Sequence, residues 1–119
     1  MGTTVFVTDT GRMPYKFESF DNVLIESNYS DEILEQNAIR GHLSGVQLRR
    51  LSDTHLSINK AITWLNRQNK ATIKTAVLIH LSNGNSNAVK FASQFNYQTG
   101  IRTLIAEKGL EVLLNKFPF

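Results

Sequence analysis

The chain opens on a short β-branched and aromatic run at residues 3–8, Thr-Thr-Val-Phe-Val-Thr, which stops at Asp9-Thr10-Gly11 and reads as a strand ending in a turn. Residues 23–27, Val-Leu-Ile-Glu-Ser, repeat that design: an apolar run too short for a helix ends in a carboxylate, and turn-prone Asn28 follows. Ser30 or Asp31 can cap a short helix through Gln36, with acids in its first turn where they complement the helix dipole. Between residues 38 and 52, Ile39, Leu43, Val46 and Leu51 suggest a second, less regular helical stretch interrupted by Gly41 and Gly45. The spacing sharpens from Ser57, a good N-cap: Ile58, Ala61, Ile62 and Leu65 share a face, and polar residues 66–70 end the run. Trp64 flanks this stripe and is expected to pack rather than to bind.

Residues 76–79 are continuously apolar, as in a strand buried on both faces, and they end in His80. The polar stretch 82–87 is a loop that caps a helix reaching Tyr97, with Val89 or Phe91, Ala92 and Phe95 turned inward. Residues 101–106 and 110–114 read as two strands joined in a hairpin across Glu107-Lys108-Gly109. The order strand, strand, helices, strand, helix, hairpin predicts an α/β layered domain with about five strands.

Composition narrows the class of protein. A chain of 119 residues buries enough surface to fold without disulfides or a structural metal, and with no cysteine it has neither a disulfide framework nor a thiolate zinc site. No apolar run approaches the roughly 20 residues that span a bilayer, and the first residues lack the basic flank of a signal peptide, so a soluble, cytoplasmic protein is expected. Thirteen Lys and Arg against ten Asp and Glu give a net charge of only +3, but the charges are segregated. Six acids and no base lie between Glu18 and Glu35. Seven bases (Arg40, Arg49, Arg50, Lys60, Arg67, Lys70 and Lys74) face Asp53 alone between residues 40 and 74, which makes them candidate contacts to nucleic acid.

Three expected strand ends carry a potential ligand or acid: Asp9, Glu26 and His80. Ligands of open α/β sheets bind at the carboxyl edge of the strands, so this coincidence marks a candidate site. Further along, Thr8-Asp9-Thr10-Gly11, Leu24-Ile25-Glu26-Ser27-Asn28-Tyr29, Asp53-Thr54-His55-Leu56-Ser57, Leu78-Ile79-His80-Leu81-Ser82, Asn85-Ser86 and Ala106-Glu107-Lys108-Gly109-Leu110 form an ordered set covering nearly the whole chain. Together they resemble the metallo-β-lactamase fold, and more narrowly the bacterial and phage metal-dependent hydrolases of the YycJ (WalJ) type, relatives of the tRNA-processing ribonuclease Z.

That resemblance implies that Asp9 is the carboxylate bridging two metal ions and that His80 is the last metal-ligating histidine. Two divalent ions held close together need an anionic bridge, and a neutral imidazole completes one shell. It also implies that Glu26 and a His-Leu-Ser histidine act together near the scissile phosphate, the carboxylate orienting the imidazole and the imidazole giving a proton to the leaving oxygen. Two histidines compete for this role, since His42 and His55 both open a His-Leu-Ser. The family's usual Gly-His-Leu-Ser favours His42. The family's spacing favours His55, which follows Glu26 by 29 positions and lies behind Arg49-Arg50 and Ser52-Asp53-Thr54, whereas His42 follows by 16. His55 is therefore the expected partner, and His42 a surface or helix-cap residue.

The family's His-x-His-x-Asp-His cluster has no counterpart here, because the three histidines at 42, 55 and 80 are far apart in sequence. Residues 1–119 are accordingly expected to form one truncated domain, the C-terminal half of an αββα sandwich, for which the resemblance implies a mixed sheet with helices on one side. Asp9 and His80 alone make a poor site, so no cofactor is expected for the isolated chain, and zinc or manganese only once an N-terminal half completes it. The expectation is a non-catalytic, self-associating, phage-type protein derived from a metal-dependent phosphodiesterase or nuclease, in the host cytoplasm if phage-encoded. Its expected partners are a second copy, since a half-sandwich exposes an apolar sheet face, and DNA or RNA through residues 40–74. The alternative is the C-terminal half of a split enzyme, active only with an N-terminal partner.

Overall fold

Four short strands lie side by side in chain order, β1 (Thr4–Val7), β2 (Asn22–Glu26), β3 (Thr75–Ile79) and β4 (Arg102–Ile105), and every pairing is parallel. This computed structural model describes residues 2–8, 10–82 and 87–106. Helices α1 (Asp31–Ile39), α2 (Gly45–Thr54) and α3 (Ile58–Asn66), then a 3-10 turn at Lys70–Thr72, connect β2 to β3; helix α4 (Ala88–Thr99) connects β3 to β4.

The α/β class expected from the sequence stands; among the described residues the sheet has four strands, all parallel, rather than a mixed sheet of about five. Strand β4 runs parallel to β3. The physical reason is α4: a helical crossover returns the chain to the edge where the preceding strand began, so the next strand enters in the same direction. The turn 107–109 and the second hairpin strand at 110–114 lie outside the described residues.

Side chains alternate across the sheet and separate two environments. One face aligns Val5, Val23, Ala76 and Thr103 in register, then Val7, Ile25, Leu78 and Ile105, and carries the main core. Helices α3 and α4 pack together over it, contributing Ile58, Ala61, Ile62, Leu65, Phe91 and Phe95. Complete burial of such side chains stabilises by about 1.5–3 kcal/mol each. The alternatives at the start of α4 resolve to Phe91, since Val89 points outward. Trp64 packs, as expected: its ring stacks on Phe20 at 5.9 Å, and its Nε1–H donates to the Tyr15 carbonyl at 2.8 Å. The opposite face carries a second register row, Phe6, Leu24, Val77 and Leu104, in which Phe6 is 62% exposed.

Local signals set the helix limits. Ser30, Ser44, Ser57 and Asn87 each accept a hydrogen bond from the backbone N–H three residues on, and Ser44 and Gln47 complete a capping box. Helix α1 ends where Gly41 takes a left-handed conformation, φ 76°, with Gly41 N–H donating to Ala38 and His42 N–H to Asn37. The irregular stretch at 38–52 is thus one helix ending and another beginning. Among the described residues no helix is long and apolar enough to cross a membrane.

Candidate functional site

Beyond Glu26 the chain stays extended and buried through Ser27, Asn28 and Tyr29, a polar stretch that needs partners on both sides. It finds them in two different segments. On one side Asn28 N–H donates to Leu56 and Ile58 N–H donates to Tyr29; on the other Ser27 N–H donates to Ile79 and Ser82 N–H donates to Asn28. The flanking segments are His55-Leu56-Ser57 and His80-Leu81-Ser82, so two copies of one tripeptide bracket the end of β2.

Glu26 closes the bracket. Its side chain is completely buried and accepts three hydrogen bonds: Leu56 N–H on Oε2 at 2.8 Å, and His55 Nδ1 at 2.9 Å and His80 Nδ1 at 2.5 Å, both on Oε1. A carboxylate removed from water costs several kcal/mol, and these charge-assisted bonds are what offset it. A carboxylate only accepts, so both Nδ1 atoms donate to it and Nε2 is left as the second nitrogen of each ring, the arrangement by which a carboxylate orients histidine as a ligand or proton carrier. The two rings lie edge to face with centroids 5.3 Å apart, and donor atoms of Glu26, His55 and His80 fall within 4.8 Å of one another.

Backbone geometry reinforces the site. His55 is the extended residue that ends α2, φ −130° and ψ 148°, two positions before the cap of α3. His80 has φ 61°, the sole positive value at a non-glycine position among the described residues, and its carbonyl accepts from Asn28 Nδ2 at 2.8 Å. Strained non-glycine conformations persist where surrounding contacts over-determine them, and they concentrate at functional positions. Asn28 Oδ1 and Ser27 Oγ are buried with no hydrogen-bond partner among the described residues, leaving polar capacity beside the histidines. Gly11 fixes the third wall: a Cβ there would stand 2.2 Å from the Ser52 carbonyl oxygen, so only glycine lets the turn after β1 rest on the end of α2. The Tyr29 hydroxyl is pushed above its ordinary pKa, mainly by burial, then by Asp31 and Glu26, with a hydrogen bond from Ser52 working the other way.

Sequence-derived candidates distribute unevenly over this framework. Glu26, His55 and His80 come together. Asp9 lies outside the described residues. His42 is exposed at the end of α1, and its backbone N–H serves the helix cap. Of the basic residues, Arg40, Arg49 and Arg50 are exposed around α1 and α2; Lys60 and Arg67 line clefts beside α3; Lys70 and Lys74 stand near the start of β3, the edge opposite the histidines. Lys70 is committed there to Asn66 Oδ1 and the Thr99 carbonyl.

Sequence reasoning missed Asn28 as a clamp on His80, and Arg12. Two adjacent clefts of about 430 and 510 Å³ share Arg12 and Lys60, the first running to Trp64 and Arg67 and the second to Ser52 and Asp53. A polar Ser-Asn directly after an apolar strand was the available signal for Asn28; nothing local marks Arg12. No protein-family model matches this sequence, and no curated protein does either.

Proposed function

We propose that this chain supplies the Glu26–His55–His80 part of a metal-dependent phosphodiester-hydrolysing site of the metallo-β-lactamase type, completed by metal ligands from a further polypeptide segment. The observation that carries the reading is the fully buried Glu26 gathering two imidazoles at the carboxyl edge of the sheet. A core carboxylate kept at that cost is hard to account for as packing alone.

The donor set fits zinc or manganese in kind: imidazole nitrogen backed by a carboxylate suits either ion, and the orphaned Asn28 Oδ1 is a further oxygen nearby. His80, with Asp9 as the resemblance implies, would hold the ion. A bound divalent ion polarises a phosphoryl oxygen and makes its water acidic. Glu26 holds His55 through Nδ1, so that Nε2 is the atom that, once it has taken up a proton from water, can deliver it to the leaving oxygen. The same carboxylate fixes the His80 ring, and Asn28 fixes its backbone.

Zinc titration by calorimetry, with and without Glu26→Ala and His80→Ala, tests this. Weak binding by the chain, lost in both variants, is expected, with hydrolysis of bis-p-nitrophenyl phosphate appearing only when a fragment bearing a His-x-His-x-Asp-His cluster is co-expressed. Zinc binding unaffected by either variant overturns the proposal.

A second reading, the non-catalytic and self-associating protein, draws on the row Phe6, Leu24, Val77 and Leu104, where Phe6 is largely exposed. Sedimentation then shows a dimer that Phe6→Ser dissociates; a monomer at all concentrations rejects it.

A further inference from the structure

Helices α1 and α2 are the least supported elements of the fold. Neither holds a buried residue, and neither packs broadly on another element. They are pinned at their outer ends, where Asp31 N–H donates to Asn59 Oδ1 at 3.0 Å and the Ser52 carbonyl lies against Gly11. Between those points Ile33 packs against the main core, while Leu34, Leu43, Leu48 and Leu51 are only half-buried. Helices of 9 and 10 residues are marginal in water by themselves and draw most of their stability from covering an apolar face. The outward sides of both helices carry a pattern that says what covers them. On α1, Glu32, Glu35 and Ile39 share one side, and Ile39 is 79% exposed. On α2, Val46, Arg49 and Arg50 share one side, and Val46 is 72% exposed. Each side is a bare aliphatic group with two like charges, and the charges are opposite in sign. None of these four charged groups makes an ion pair among the described residues. Asp53, the acid of α2, lines the cleft beside Arg12 and Lys60. Glu35 lies beyond the first turn of α1, so the helix dipole does not account for it.

We infer that α1 and α2 form a self-complementary docking surface for a second copy of this chain, in a two-fold dimer where α1 of each molecule lies antiparallel against α2 of the other. Like helices repel: α1 on α1 opposes acids, and α2 on α2 opposes arginines. Unlike helices match in spacing as well as in charge. With Ile39 set on Val46 of the second copy, a step of four residues along each helix brings Glu35 to Arg50, and a step of three brings Gln36 to Arg49. A two-fold axis makes this contact twice, so both helices of both molecules are covered at once. The surface is separate from the sheet row that ends in Phe6, and the inference does not depend on the Glu26–His55–His80 cluster.

The test is sedimentation equilibrium of the full chain over a range of protein and salt concentrations, with charge reversals at exposed positions that leave the core untouched. The native chain should be a dimer that weakens as salt rises. Glu35→Arg and Arg50→Glu each set like charges face to face, and each should raise the dissociation constant by about tenfold or more. An equimolar mixture of the two variants should dimerise about as tightly as the native chain, because in the mixed dimer one contact joins the two reversed positions and the other joins the two native ones. Phe6→Ser should leave this dimer intact. A monomer at every concentration, a dimer indifferent to either reversal, a mixture no tighter than the separate variants, or a dimer that Phe6→Ser dissociates overturns the inference.

Discussion

The two His-Leu-Ser segments beside β2 share a tripeptide and a carboxylate, yet they are built differently. His55 is extended, its side chain 27% exposed, held between the end of α2 and the Ser57 cap of α3, with Leu56 fully buried behind it. His80 is left-handed and 50% exposed; the Asn28 side chain grips its carbonyl, and Leu81 is only half-buried. One histidine is bracketed by helices, and the other is presented on a strained corner. Identical tripeptides thus take different environments from their neighbours, and the strained, more open one is the better placed to meet a ligand.

Removing what they share should have the largest effect. Glu26→Ala strands two imidazoles and the Leu56 N–H, and should lower unfolding free energy in urea by about 3 kcal/mol or more; a loss below about 1 kcal/mol would mean the bracket stands without its carboxylate. A smaller experiment targets the difference itself. At His80 glycine relieves the left-handed strain, so His80→Gly should be more stable than His80→Ala by about 1 kcal/mol. At extended His55 the order should reverse, His55→Ala being the more stable by about 0.5–1 kcal/mol. The same order at both positions would erase the contrast.

The smallest effect should come from Tyr29, whose carbonyl ties the His55 flank through Ile58 N–H. Its folded pKa is raised, so above the ordinary value near 10 the folded state keeps a proton that the unfolded state has lost. That contribution is fully present below the unfolded pKa and is lost as pH rises through the folded one. The urea midpoint should therefore fall more steeply above about pH 10 in the native chain than in Tyr29→Phe; parallel profiles would refute it.

Local chemistry made much of the fold legible. Ser57 and the Ile58, Ala61, Ile62, Leu65 stripe place α3, and the apolar runs ending at Glu26 and His80 place β2 and β3 within a residue or so. What the run 101–106 could not tell is its neighbours, because residues 102–105 alternate alike whether a partner strand is parallel or antiparallel. At the site, the meeting of Glu26 with a histidine 29 positions away came from a resemblance, not from any local pattern. Arg12 beside Lys60 depends on Gly11 lying against Ser52, a long-range contact that no window of sequence contains.

The extended segment at 27–29 also has a consequence for timing. A growing chain exposes Glu26 before His55, and His80 follows 54 positions after Glu26. Until β3 pairs, His80 is missing from the carboxylate's partners, so the cluster is completed only after the non-local pairing of β2 with β3. Chains in which β3 has not docked therefore lack the cluster, and any ion or substrate recognised there reports that β2 and β3 have paired.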